Sequence, residues 1–268
     1  MSAAVVRALL EEWQLTPDGE PTEVVPVRTS SGRPAVLRVG AAEYAHLALQ
    51  HWHGRGAVQL LRADPHRSAL LLERLHPEDL GELWDVEACE VVGGLYARLH
   101  VPAIPQLRTL TSYAEGWVRE LDDLPRDAPL PRRLVEQAAS LGRDLSRDDA
   151  STGRTIHTDL HYAHVLAGDR EPWLAIAPRP LNGDPHYEVA PMLWHRWDEL
   201  VGGPRSIRDG VRLRFHTLVD VAGLDERRAR DWVVVRTVVH VLHALQGPRG
   251  PSDADLTRCI AIAKAVQD

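Results

Sequence analysis

His157-Thr158-Asp159-Leu160-His161-Tyr162-Ala163-His164-Val165-Leu166, HTDLHYAHVL, places four side chains able to bind a metal or move a proton within eight positions. The spacing is H-x-D-x-H-x-x-H. Imidazole nitrogens suit Zn²⁺, so the spacing raises a metal site. A second reading makes Asp159 a general acid or base in a cleft. A third makes it an organiser of loop backbone N–H groups. The flanks fix the loop's place. Residues 131–146 carry Val, Leu and Ala at helical spacing, whereas 164–167 and WLAIA (173–177) are short apolar runs joined by the turn GDREP, the pattern of a β-hairpin.

Outward from the loop the chain changes character once. On the N-terminal side, 3–13 predicts an amphipathic helix. TEVVPVRTSSGRPAVLRV (22–39) predicts two strands about a turn at Ser30–Arg33, and 41–52 a helix. AVQLL (57–61) and ALLLERL (69–75) have strand length. Helical spacing then takes over at 84–100, 110–122 and 131–146, and again at 186–201, 206–221, 225–245 and 252–267. The fold class expected is α+β, with a β-rich lobe at 1–78 and a helical lobe at 79–268.

The bulk numbers narrow the partners. The chain has 268 residues and a net charge of −7, and no dense Arg run interleaved with aromatics, which argues against nucleic acid. No apolar run reaches the roughly 18–20 residues of a membrane span, and MSAAVVRALLEEW is too short and acidic for a secretory signal. Two cysteines, Cys89 and Cys259, make no disulfide framework. A cytoplasmic protein with a small-molecule ligand is expected; oligomeric state is not legible. The only lysine is Lys264, so no N-terminal nucleotide site can contain one.

Several segments, in order and spacing, resemble the aminoglycoside phosphotransferase superfamily, nearest its streptomycin 6-kinase and hydroxyurea phosphotransferase branch. They are GRPAVLRV (32–39), GRGAVQLLRADP (54–65), ALLLERL (69–75), VVGGLYARLH (91–100), LPRRLVEQA (130–138), HTDLHYAHVL (157–166), REPWLAIAPRPLNGDPHYEVAPML (170–193) and RWDEL (196–200). The resemblance implies a protein-kinase-like fold, with Asp159 at the catalytic-base position and adenine near LERL (72–75). It also implies that Asp184 and Glu188 are scaffold. The chain departs from the family where ions are handled. Arg38 replaces the phosphate-contacting Lys, and Ala45, with Glu43 displaced, stands for its Glu partner. His164 replaces the Mg²⁺-binding Asn, and Ala177 the metal-binding Asp. Thr158 and Tyr162 stand where Gly and Pro are usual.

Mg²⁺ takes hard oxygen ligands, and a methyl supplies none. The departures therefore predict a degenerate nucleotide site (Arg38, Glu73, Leu75, Ala177), no metal and no cofactor. The cleft would perform acid/base chemistry on a metabolite, with Asp159 and His164 catalytic. Substrate contacts are expected from His157, Thr158, His161 and Tyr162, joined by His186, Trp194 and His195. The alternatives are an active phosphotransferase using ATP and Mg²⁺, and a non-catalytic small-molecule binder.

Overall fold

A computed structural model describes residues 3–22 and 24–267. Helix α1 (Ala3–Glu12) leads into an antiparallel sheet of β1 (Thr16–Pro17), β2 (Val25–Arg28), β3 (Pro34–Val39), β4 (Leu60–Asp64) and β5 (Ala69–Glu73), in the order β1-β2-β3-β5-β4. Side chains alternate faces along a strand, and β5 uses both. Ala69 and Leu71 join Leu9, Val27 and Leu37 in a core on one face. Leu70 and Leu72 join the larger core, together with Leu49 and Trp52 of α2 (Ala45–Trp52). Arg38 lies opposite Leu70 in the β3–β5 register, so Arg38 shares the α2 face.

The helical part contains α3 (Asp85–Leu99), α4 (Leu110–Asp122), α5 (Arg132–Ser146), α8 (Ile207–Ala222), α9 (Glu226–Gln246) and α10 (Asp253–Gln267). Helix α9 is buried on most sides, from Ala229 to Leu242. Such all-round burial marks a central helix. Around it the chain places β6 (Arg154–Ile156) paired with β9 (Leu181–Gly183), and β7 (Val165–Ala167) paired with β8 (Trp173–Ala175). The loop 157–164 thus runs from one two-stranded ladder to the other. The β6–β9 pair leaves no room at Gly183, where a Cβ would lie 2.5 Å from Ile156 Cδ1.

The single helix predicted over 186–201 is broken. A 3-10 turn (Pro185–Val189) precedes α6 (Ala190–Trp194), and α7 (Trp197–Gly202) follows. His195 is extended and Arg196 left-handed, with φ of 52°. The break has a polar cause: Arg196 donates to the carbonyls of Leu83 (2.9 Å) and Leu80 (3.3 Å), and Arg214 donates to the carbonyl of His195 (2.7 Å). None of the helices is long and apolar enough to cross a membrane among the described residues.

Candidate active site

The loop is clamped before it reaches Asp159. His157 is buried; its Nε2–H donates to Ile176 O (2.9 Å), its Nδ1 accepts from Asp159 N (3.3 Å), and Trp52 stacks on its ring. Burial pushes its pKa down to about 4, so the ring is neutral near pH 7. Thr158 takes a left-handed φ of 65°, held by three bonds. Its N–H donates to Glu188 Oε1 (2.5 Å), its hydroxyl to Arg179 O (2.7 Å), and its carbonyl accepts from Arg236. Positive φ is costly outside glycine, and these bonds over-determine it. Arg179 N closes the clamp on His157 O (3.0 Å).

Asp159 emerges a quarter exposed, with Arg179 Nε 3.4 Å and His164 Nδ1 3.7 Å from its Oδ2. His164 Nδ1–H donates to the Asp159 carbonyl (2.6 Å), which leaves Nε2 as an acceptor. The His164 ring lies 4.0 Å from that of His161, which stacks on His195 at 3.7 Å. Burial, then the neighbouring imidazoles, push His161 down to about 2; burial pushes His195 down to about 4. Donor atoms of Asp159, His161 and His164 all lie within 4.8 Å of one another, a mixed nitrogen and oxygen set.

Two cavities meet at this loop. A cleft of about 490 Å³ lies between the sheet and the helical part. Leu70, Leu72 and Leu49 form an apolar wall, and Arg38, Arg108 and Arg179 bring three guanidinium groups. Glu43 pairs with Arg108 (3.1 Å), and Arg38 makes no ion pair among the described residues. A pocket of about 430 Å³ lies on the other side, with Asp159, His161 and His195 in its wall. Arg179 lines both cavities, His164 and Ala177 the cleft, and Asp159 the pocket.

The expected site residues divide. Asp159, Thr158, His161, Trp194 and His195 line the pocket; Arg38, His164 and Ala177 line the cleft. His157 lines neither, because both ring nitrogens are spent on backbone. Tyr162 points away: it is buried, donates to Asp85 Oδ1 (2.9 Å), and packs under the guanidinium groups of Arg196 and Arg214. His186 is scaffold, donating to Asp184 Oδ1 (2.5 Å) and accepting from Asp225 N (3.0 Å). Glu73 faces out of the cleft, taking Gln59 N (2.7 Å) and Arg170 (2.6 Å), while Leu75 packs near Gly168. Sequence reasoning passed over Arg179, Arg236 and Arg108. Arg179 had a signal in APRPL, where the branch pattern also has a basic residue between prolines; Arg236 interrupts the apolar run WVVVRTVV.

A nucleotide fits the cleft, where three guanidinium groups face an apolar wall. A Mg²⁺ ion held by a pair of protein oxygens does not fit, because Ala177 presents a methyl and His164 an imidazole.

The sequence profile of the aminoglycoside/hydroxyurea antibiotic resistance kinases matches residues 7–246. A streptomycin 6-kinase of Streptomyces glaucescens is 40% identical over 256 residues, covering 89% of this chain and 81% of that protein. A hydroxyurea phosphotransferase of Kitasatospora aureofaciens is 37% identical over 254 residues, covering 88% and 71%. Among solved structures, the amicoumacin kinase hAmiN, in complex with AMP-PNP, Ca²⁺ and Ami, aligns with a TM-score of 0.64 at 14% identity, covering 99% and 92% of the chains. The aminoglycoside phosphotransferase APH(4)-Ia with ADP and hygromycin B aligns with a TM-score of 0.61 at 16% identity, covering 98% and 99%. These likenesses correct two expectations, that ATP-dependent chemistry is lost and that no cofactor is used. Relatives near 40% identity are kinases, and fold neighbours hold nucleotide. The expectations treated missing oxygen ligands as missing chemistry. Phosphoryl transfer rests on positioning and charge neutralisation, and Arg108 and Arg179 add charge that the sequence had not located.

Proposed function

The chain belongs to the aminoglycoside/hydroxyurea antibiotic resistance kinase family, and on that premise we propose that it is an ATP-dependent O-phosphotransferase acting on a small hydroxylated molecule. One observation carries the reading: Arg179 stands in the wall of both cavities, and Asp159, in the pocket wall, lies 3.4 Å from it. A donor on one side and an acceptor on the other is the arrangement that in-line transfer needs. The cleft is the nucleotide site, with Arg38, Arg108 and Arg179 for its phosphates and Leu70 and Leu72 for its base. Bound ATP supplies the phosphoryl group.

The chain's own residues do the rest. Asp159 takes the proton of the acceptor hydroxyl as that oxygen becomes the nucleophile. Arg179, 3.4 Å from the carboxylate, neutralises charge where the two cavities adjoin. His157 and Thr158 hold the loop so that Asp159 faces the pocket. No step is assigned to Mg²⁺, whose ligands this cleft does not offer in the family's manner.

Acceptor-dependent formation of ADP tests the reading. The protein is incubated with ATP, a divalent cation and a panel spanning hydroxyurea, streptomycin and hydroxylated aromatic acids, and phosphorylated product is followed by ³¹P NMR. Transfer to one acceptor is expected. No binding of ATP at millimolar concentration by calorimetry, with any of Mg²⁺, Mn²⁺ or Zn²⁺ present, rejects it.

A further inference from the structure

The acceptor pocket carries more guanidinium than carboxylate groups in its wall. Its wall contains one carboxylate, Asp159, against two guanidinium groups, Arg179 and Arg236. Trp117, Tyr187 and Trp194 supply flat apolar surface, with Trp117 stacked on Tyr187 at 6.0 Å. The imidazoles of His161, His195, His240 and His243 complete the wall. Burial holds His161, His195 and His240 below their ordinary range, so these three add no charge near neutral pH.

Arg236 is the informative residue. It projects from the central helix, is 8% exposed, and makes no ion pair among the described residues. Its guanidinium lies over the rings of Tyr187 (4.0 Å) and Trp194 (5.4 Å). It donates to the carbonyls of Tyr187 (2.7 Å) and Thr158. A guanidinium has five N–H donors, so these two bonds leave donors over. Glu188 stands one residue away, on Thr158 N, and touches no part of the guanidinium, so a bound anion would supply Arg236 with a direct counter-charge. A polycationic sugar would meet the reverse: Arg236 is a buried like charge, and Arg179, largely exposed, already stands 3.4 Å from the one carboxylate, so the wall selects against added positive charge.

We infer that the acceptor is a flat, hydroxylated carboxylate, its acid group held by Arg236, its ring lying among Trp117, Tyr187 and Trp194, and its hydroxyl presented to Asp159. The same charge disfavours a polycationic aminoglycoside. This rests on the phosphotransferase reading for the role of the hydroxyl, but the charge preference stands on the pocket alone.

The test is therefore run without nucleotide. Matched probes, 4-hydroxyphenylacetate and tyramine, share a phenol and differ in the sign of their charge; streptomycin is the polycation. Calorimetry at pH 7.5 should give 4-hydroxyphenylacetate at least about tenfold tighter binding than tyramine, with no saturable binding of streptomycin. Arg236→Gln should lower affinity for the anion about tenfold or more and abolish the preference. Arg236→Lys, which keeps the charge, should retain part of it, and Arg179→Gln, on a largely exposed side chain, covers the case in which the Arg236 variants fail to fold by narrowing the preference in a folded protein. Equal or tighter binding of tyramine, saturable binding of streptomycin, or no binding of the anion at millimolar concentration overturns the inference. The phosphotransferase reading is judged separately by transfer from ATP, so either can fall alone.

Discussion

Asp159 and Asp184 are 25 residues apart and are treated in opposite ways. Asp184 is 1% exposed and saturated: His186 donates to Oδ1, Arg228 (2.5 Å) and Trp232 (2.6 Å) to Oδ2. Burial pushes its pKa up, but the donors of His186, Trp232 and Arg228 outweigh this and hold it below the usual carboxylate range. Glu188 is completed the same way, by Thr158 N and His100. Asp159 is a quarter exposed, and among the described residues no hydrogen bond reaches its carboxylate; Arg179 and His164 only stand nearby. One block uses carboxylates to fasten the loop to α9. The other leaves a carboxylate without hydrogen-bond donors in the pocket wall, beside the Arg179 that lines both cavities. A group whose lone pairs are all engaged cannot take a substrate proton, so the contrast separates scaffold from chemistry.

The largest effect expected to sharpen this contrast is on catalysis. Asp159→Asn keeps the shape but cannot accept the proton, and should cut turnover by about 10²–10⁴-fold while the melting temperature stays within about 2 °C of the parent. A fully active Asp159→Asn variant breaks the contrast, because Asp159 is then scaffold too. Asp184→Ala should do the reverse in kind. It strands Arg228 and Trp232, and removing one partner of a buried pair costs about 3–5 kcal/mol, about 10 °C in melting temperature for a chain of this size. Nucleotide affinity of the folded fraction should be unchanged.

The smallest effect is in pH dependence. His157, His161 and His195 are neutral in the fold, with pKa values pushed by burial to about 4, 2 and 4. In the unfolded chain each titrates near 6.5. Their contribution is thus fully present above about pH 6.5 and declines as the pH falls toward the folded values, because the unfolded state gains protons first. The depressed Asp184 acts lower, losing its contribution only as the pH falls below the ordinary carboxylate range. Melting temperature should be flat from pH 8 to 7 and fall below about 6.5, and His195→Leu should make that fall shallower. A melting temperature that rises between pH 6.5 and 5 contradicts the neutral imidazole cluster.

Much of the architecture was legible because its signals are local. Helical spacing gives α3, α4, α5, α8, α9 and α10 within a residue or two, and the apolar runs about the loop give β7 and β8. The broken helix after 186 was not legible, since its cause is Arg196 and Arg214 bonding to carbonyls far along the chain. Tyr162 and His186 were misplaced for the same reason. Adjacency in sequence put them beside Asp159, but a 3-10 turn sends Tyr162 toward Asp85, and Asp184 draws His186 to the start of α9.

The sequence by itself determined the α+β kinase-like plan, the loop that carries Asp159, and the absence of the family's oxygen ligands at 164 and 177, since each is a matter of residue type at a local spacing. Only the tertiary structure decided what surrounds that loop. Arg108, Arg179 and Arg236 come from three distant segments, and their placement around the two cavities depends on how the start of α4, the 177–181 turn and α9 pack. Charge in a pocket is a sum over neighbours in space, and no local spacing encodes it.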